Sequence, residues 1–147
     1  MATDTVELIG KTVSETNHWL REIDEELSWN DRHAALQALR GVLHLIRDRV
    51  PLDESAQFSA QLPTLVRGIY WEQWDPSRTP ITDRNEAVLL ERVTEAFAGY
   101  DRDPDPRAVA RAVFTVLTRH ISWGEVDDVR HALPRRMQAL WPTLWPN

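Results

Sequence analysis

The chain has 147 residues, 42% of them hydrophobic and 27% charged, with nine Pro, five Gly, no Cys and a formal charge of −6. A chain of this length buries roughly 70% of the surface that its unfolded form exposes, so the composition predicts one soluble globular domain over 1–147. It excludes a long disordered tail, a disulfide framework and any Cys-based zinc site; with no signal-peptide pattern in Met1 to Asn30 and no 18-residue apolar run, a cytoplasmic protein that does not enter membranes is expected.

The first segment is acidic. Residues 1–31 hold eight Asp or Glu against Lys11 and Arg21, whereas the rest of the chain balances fifteen acids with fifteen Arg. The net charge therefore belongs to a first helix whose apolar face is Trp19, Leu20, Ile23 and Leu27, with a solvated acidic side or a docking face for a basic partner. Between Arg32 and Val50, Leu36, Leu39, Leu43, Ile46 and Val50 recur at steps of three and four, one stripe of a second helix that Asn30 or Asp31 caps and Pro51 stops. Two helical pieces follow, Leu52 to Gln61 and Pro63 to Glu72, broken at Leu62 because proline fits a first helical turn and not a helix interior. The loop Trp74 to Asp83 carries Pro76 and Pro80. Beyond it come a helix bearing Leu89, Leu90, Val93 and Phe97, and another striped by Val109, Val113, Val116, Leu117 and Ile121. Ser122 and Glu125 read as a capping box opening Trp123 to Ala132, and Pro134 to Trp141 completes the series. Strand alternation and hairpin dipeptides are nearly absent.

The two runs of helices match each other. Sliding the chain by 71 residues sets Leu43 on Phe114, Ile46 on Leu117, Val50 on Ile121, Phe58 on Val129 and Val66 on Met137; across residues 38–71 the identities are Arg40/Arg111, Val42/Val113, Glu54/Glu125, Leu62/Leu133 and Pro63/Pro134. The expected fold is all-α: a tandem pseudo-repeat of two three-helix units, 5–74 and 82–142, the third helix of each broken at Leu-Pro, joined by loop 75–81 and followed by a tail, 143–147. Units of about 70 residues close a core poorly alone, so both are expected to share one.

Residues 38–74 (ALRGVLHLIRDRVPLDESAQFSAQLPTLVRGIYWEQW) and 113–142 (VFTVLTRHISWGEVDDVRHALPRRMQALWP) resemble an uncharacterised bacterial helical family catalogued as domain of unknown function 2267. The elements that carry the likeness are the paired Leu-Pro positions, the aromatic run Tyr70, Trp71, Trp74 with Asp75-Pro76, the start of the helix after Ile121, and Leu140-Trp141-Pro142. The resemblance spans roughly residues 5–142. It implies an all-helical cytosolic protein and transfers no catalytic residue.

Chemistry is sparsely signalled. Glu15 with His18, and Asp128 with His131, stand three apart, a spacing that puts a carboxylate and an imidazole on one helix face as in di-iron bundles; Glu22 extends the first face. The second long helix and the one ending at Ile121 offer only aliphatics inward, so no metal or other cofactor is expected, and Glu15, His18, Glu22, Asp128 and His131 stand as secondary metal candidates. His44 and His120 lie beside apolar stripes, where a structural role is expected. No nucleophile motif or Gly-rich phosphate loop occurs, so no catalytic residue is assigned. Arg40 with Arg47, and Arg107 with Arg111, can share faces, but the body has no basic excess and nucleic acid is not expected as a partner.

Aromatic residues give the leading candidate. Tyr70, Trp71 and Trp74 span one turn and do not all fit one stripe, so Tyr70, Trp71, Trp74, Asp75, Arg78 and Trp145 form a candidate surface for a protein partner or a second copy. A non-catalytic protein-interaction or self-association module is expected. The alternatives are a small-ligand or metal-binding bundle with enzymatic chemistry, and a nucleic-acid-binding protein.

Overall fold

The computed structural model describes residues 2–83 and 85–143, and their side chains from Asp4 onward. Among the described residues the chain is all-α, without strands. Its helices are α1 (Ala2–Leu27), α2 (Arg32–Arg49), α3 (Leu52–Ser59), α4 (Thr64–Tyr70), α5 (Glu86–Glu95), α6 (Pro106–His120), α7 (Trp123–His131) and α8 (Arg135–Gln138). Local chemistry sets these bounds. Asp31 caps α2, its carboxylate accepting from Ala34 N at 3.1 Å, and Val50 leaves helical geometry just before Pro51. Pro63 and Pro134 stand immediately before α4 and α8, so each Leu-Pro breaks the chain between two helices.

Three details differ from the sequence reading. The helix bearing Leu89 and Val93 has only ten residues, because the chain turns at once through Gly99 (φ +83°) into the Pro-rich segment before α6. The last helical piece is four residues long rather than extending to Trp141. And the capping box at α7 is half-built: Ser122 Oγ accepts from Glu125 N at 3.4 Å, but Ser122 N donates to Gln61 Oε1 at 2.7 Å instead of to Glu125. Glu125 is thereby released from the role that its position suggests.

The helix α2 lies at the centre, packed by α1, α3, α4, α5 and α6, while α7 meets α3, α6 and α8. The buried apolar residues of both runs of helices form one cluster, in which Leu39, Leu43, Ile46, Phe58, Tyr70, Leu89, Phe114, Leu117 and Met137 are fully enclosed. Trp141 stacks on Phe114 with ring centres 4.1 Å apart, tying the end of the described chain to α6. Fully covering one such aliphatic or aromatic side chain contributes about 1.5–3 kcal/mol, so this shared cluster is the main force holding the helices together. Arg47 and Asp48 are the costly exceptions inside it. Arg47 Nε donates to Asp48 at 2.8 Å and its Nη1 to Tyr70 O at 3.2 Å, while Arg92 approaches Asp48 at 3.3 Å, so these two buried charges are paired.

Candidate functional site

The aromatic residues do not stand together at the surface. Tyr70 is fully buried, its hydroxyl 2.7 Å from Ser55 Oγ, and burial pushes its phenol well above the usual value. Trp71 is half-buried against the core, wedged between Tyr70 and Trp74 at centre distances of 5.1 Å, and its indole N–H donates to Ser59 Oγ at 3.1 Å. The Trp74 N–H donates to Thr79 Oγ1 at 3.0 Å, which holds it to the loop. Asp75 and Arg78 are exposed beside it; the Ser77 hydroxyl and N–H hold the Asp75 carboxyl below the ordinary range. Trp145 lies outside the described residues.

The most open apolar surface is instead on α1. Its row Val6, Ile9, Val13, Thr16, Leu20, Ile23 and Leu27 repeats at steps of three and four, so these side chains follow one line along the helix. From Thr16 onward the line is covered by the body or packed against it. Before it, Val6, Ile9 and Val13 are 69%, 59% and 45% exposed. Gly10 borders this stretch, and a Cβ built there meets nothing within 4 Å. Leu65, also exposed, lies at its edge, since Leu65 N donates to Thr12 Oγ1 at 2.9 Å.

Two polar clusters regroup the secondary metal candidates. His18 and Glu22 come together, but their third member is His120, from 98 residues away, rather than Glu15, which pairs with Lys11. Glu22 Oε1 lies 2.9 Å from His18 Nε2 and 2.8 Å from His120 Nε2, Arg119 Nη1 donates to Oε2 at 2.9 Å, and His120 stacks on Trp19 at 4.8 Å. Partial burial raises the Glu22 pKa, but hydrogen bonds from Arg119 and His120 and the charges of both imidazoles outweigh it and leave the carboxyl below its ordinary value. His18, Trp19 and His120 line an open cleft of about 480 Å³ with Gln61 and Pro63. Because Arg119 already neutralises the carboxylate, the cluster works as an ion-pair clasp between α1 and α6.

Asp128 and His131 part company. His131 Nδ1 turns to the Asp127 carbonyl at 2.8 Å, while Asp128 joins Glu54 and Glu125, the three carboxylates offering oxygens within 4.8 Å of one another. His44 does hold a structural position: its Nε2–H donates to Ile69 O at 2.8 Å, and burial keeps the ring neutral by lowering its pKa. The Arg pairs are largely engaged, Arg40 with Glu72 and Gln37, Arg47 in the core and Arg107 with Glu86.

Sequence reading missed His120 as a partner of His18 because nothing local links them. It also passed over Val6, Ile9 and Val13, whose signal was present as the upstream continuation of the row through Leu20, Ile23 and Leu27.

These features define an all-α protein with an exposed helical stripe, a histidine–carboxylate clasp and a half-buried acidic cluster. The model of a family described as "Uncharacterized conserved protein (DUF2267)" matches residues 16–140, and the chain belongs to that family. No curated protein matches the chain. Among the described residues no helix is long and apolar enough to cross a membrane.

Proposed function

We propose that the protein is a non-catalytic self-association module that pairs with a second copy of itself through the first half of α1. One observation carries the reading: Val6, Ile9 and Val13 continue without a break in spacing the row that the body covers from Thr16 onward, yet they stand open. An apolar row on a helix is completed by another helix, and the same row on a second copy is self-complementary about a twofold axis. Bulk selects the direction. An antiparallel crossing near Ile9 sets the two bodies, each of which covers its own α1 from Thr16 onward, on opposite sides of the crossing; a parallel pair brings both bodies to the same side. The flat spot at Gly10 favours close approach.

The exposed row from Val6 to Val13 runs about 10 Å along one helix, too short to bury the roughly 800 Å² per partner of a standard interface, so the dimer is weak, dissociating on the order of 100 µM. The element starts support a duplicated unit as the scaffold for it, since α3 and α7, and α4 and α8, begin 71 residues apart. The lack of cysteine suits a reducing compartment, the cytoplasm.

Sedimentation equilibrium tests the reading. The wild-type chain is expected to shift from monomer toward dimer as its concentration rises through the 100 µM range, and Ile9→Asp is expected to stay monomeric with an unchanged helical circular-dichroism signal and melting temperature. A wild type that remains monomeric at several hundred micromolar, or an Ile9→Asp chain that dimerises as well as the wild type, refutes it.

A further inference from the structure

The acidic cluster between α3 and α7 poses a physical problem that the rest of the fold does not solve. Glu125 is only 7% exposed, its Oε2 is shut off from solvent without a hydrogen-bond partner, and the same holds for Oε2 of Glu54. Asp128, exposed, closes the group from the solvent side. Among the described residues none of the three is ion-paired to an Arg or Lys, in contrast to the buried Asp48 and Glu22. Carboxylates gathered at this range repel one another, and desolvation adds to the cost, so something positive is needed.

The placement is specific. Glu54 and Glu125 are 71 residues apart and occupy equivalent places in the first turns of α3 and α7. Those first turns contribute some positive potential from their free N–H groups, but this is a fraction of a charge. The Gln61 amide takes the Ser122 N–H that a capping-box glutamate normally accepts, and so turns Glu125 toward Glu54.

We propose that Glu54, Glu125 and Asp128 form a binding site for a divalent cation, which clamps α3 to α7. The donors are all carboxylate oxygens, with no imidazole or thiolate, so the cation is a hard one of the Ca²⁺, Mg²⁺ or Mn²⁺ type, with water completing its shell. Each of the three side chains offers an oxygen within 4.8 Å of the others, close enough for one hydrated cation to reach all three.

The experiment uses the full chain, stripped with chelator and dialysed, titrated with MnCl₂ under electron paramagnetic resonance and melted with and without CaCl₂ or MgCl₂. One Mn²⁺ per chain is expected with an affinity in the range of about 10⁻⁴–10⁻³ M, and a tenfold excess of the bound cation over its dissociation constant should raise the melting temperature by roughly 3–5 °C. Glu125→Gln and Asp128→Asn, both expected to fold, should each weaken Mn²⁺ binding at least tenfold and abolish the thermal shift. Saturating metal that neither binds nor stabilises the wild type overturns the proposal. So does binding that survives Glu125→Gln and is lost in His18→Ala, which moves the ion to the α1–α6 clasp.

Discussion

Gly41→Val is expected to destabilise the protein by about 3 kcal/mol and to lower its melting temperature by roughly 10 °C. Gly41 is buried in α2 where α5 crosses it. A Cβ there falls 3.0 Å from Ala96 Cβ, 3.1 Å from Val93 Cα and 3.3 Å from Val93 O. Two of these neighbours are backbone atoms, so relief requires α5 to move as a body, and α5 also packs on α6. Alanine gains up to ~1 kcal/mol of helix propensity against the same crowding and should come out near neutral or slightly destabilising; valine adds two methyl groups to the clash and loses the propensity gain. Gly68 is the control, since a Cβ there meets nothing within 4 Å and Gly68→Ala should stabilise slightly. Thermal melts of the three variants decide the matter: equal effects at positions 41 and 68 would show that α2 and α5 do not approach this closely.

The second large effect is at Glu22. Its side chain is 13% exposed and takes bonds from His18, Arg119 and His120, so Glu22→Gln should cost about 2 kcal/mol at neutral pH, the range for hydrogen bonds to a charged group, held down by the open cleft beside it. The dependence on pH follows from the lowered Glu22 pKa. A carboxylate whose folded value lies below its unfolded value contributes fully above the unfolded value near 4.5 and loses that contribution as pH falls through the folded one. Denaturant titrations of wild type and Glu22→Gln should differ most near neutral pH and converge as the solution is acidified below about 4. A difference that persists undiminished at pH 3 would assign the effect to packing.

How much of this was legible before the structure depends on range. The stop at Pro51, the breaks at Leu62 and Leu133 and the stripe of α2 are local and legible in the sequence; of the cap candidates Asn30 and Asp31 it is Asp31 that caps α2, and at Ser122 only half of the capping box forms. The apolar matches across 71 residues singled out positions that are in fact buried, from Leu43 and Phe114 to Val66 and Met137. The end of α5 at Glu95 is not legible in the sequence, because Leu89 to Phe97 shows the same spacing whether the helix stops there or later. Sites assembled across the chain were hidden. His120 stands beside an apolar stripe in the sequence, but its contact with Glu22 depends on how α1 lies on α6. Glu54 and Glu125 stand in the sequence only as an identity, since only the packing of α3 on α7 brings their oxygens together.

The absence of native cysteine permits a direct test of self-association. Ile9→Cys places a single thiol at the proposed crossing, where the same residue of a second copy faces it, and Leu52→Cys places one on the exposed start of α3, away from it. Under mild oxidation at about 100 µM protein, Ile9→Cys should convert largely to a covalent species of twice the 17.0 kDa chain mass while Leu52→Cys stays monomeric. Equal cross-linking of the two, or none at position 9, would contradict pairing through α1.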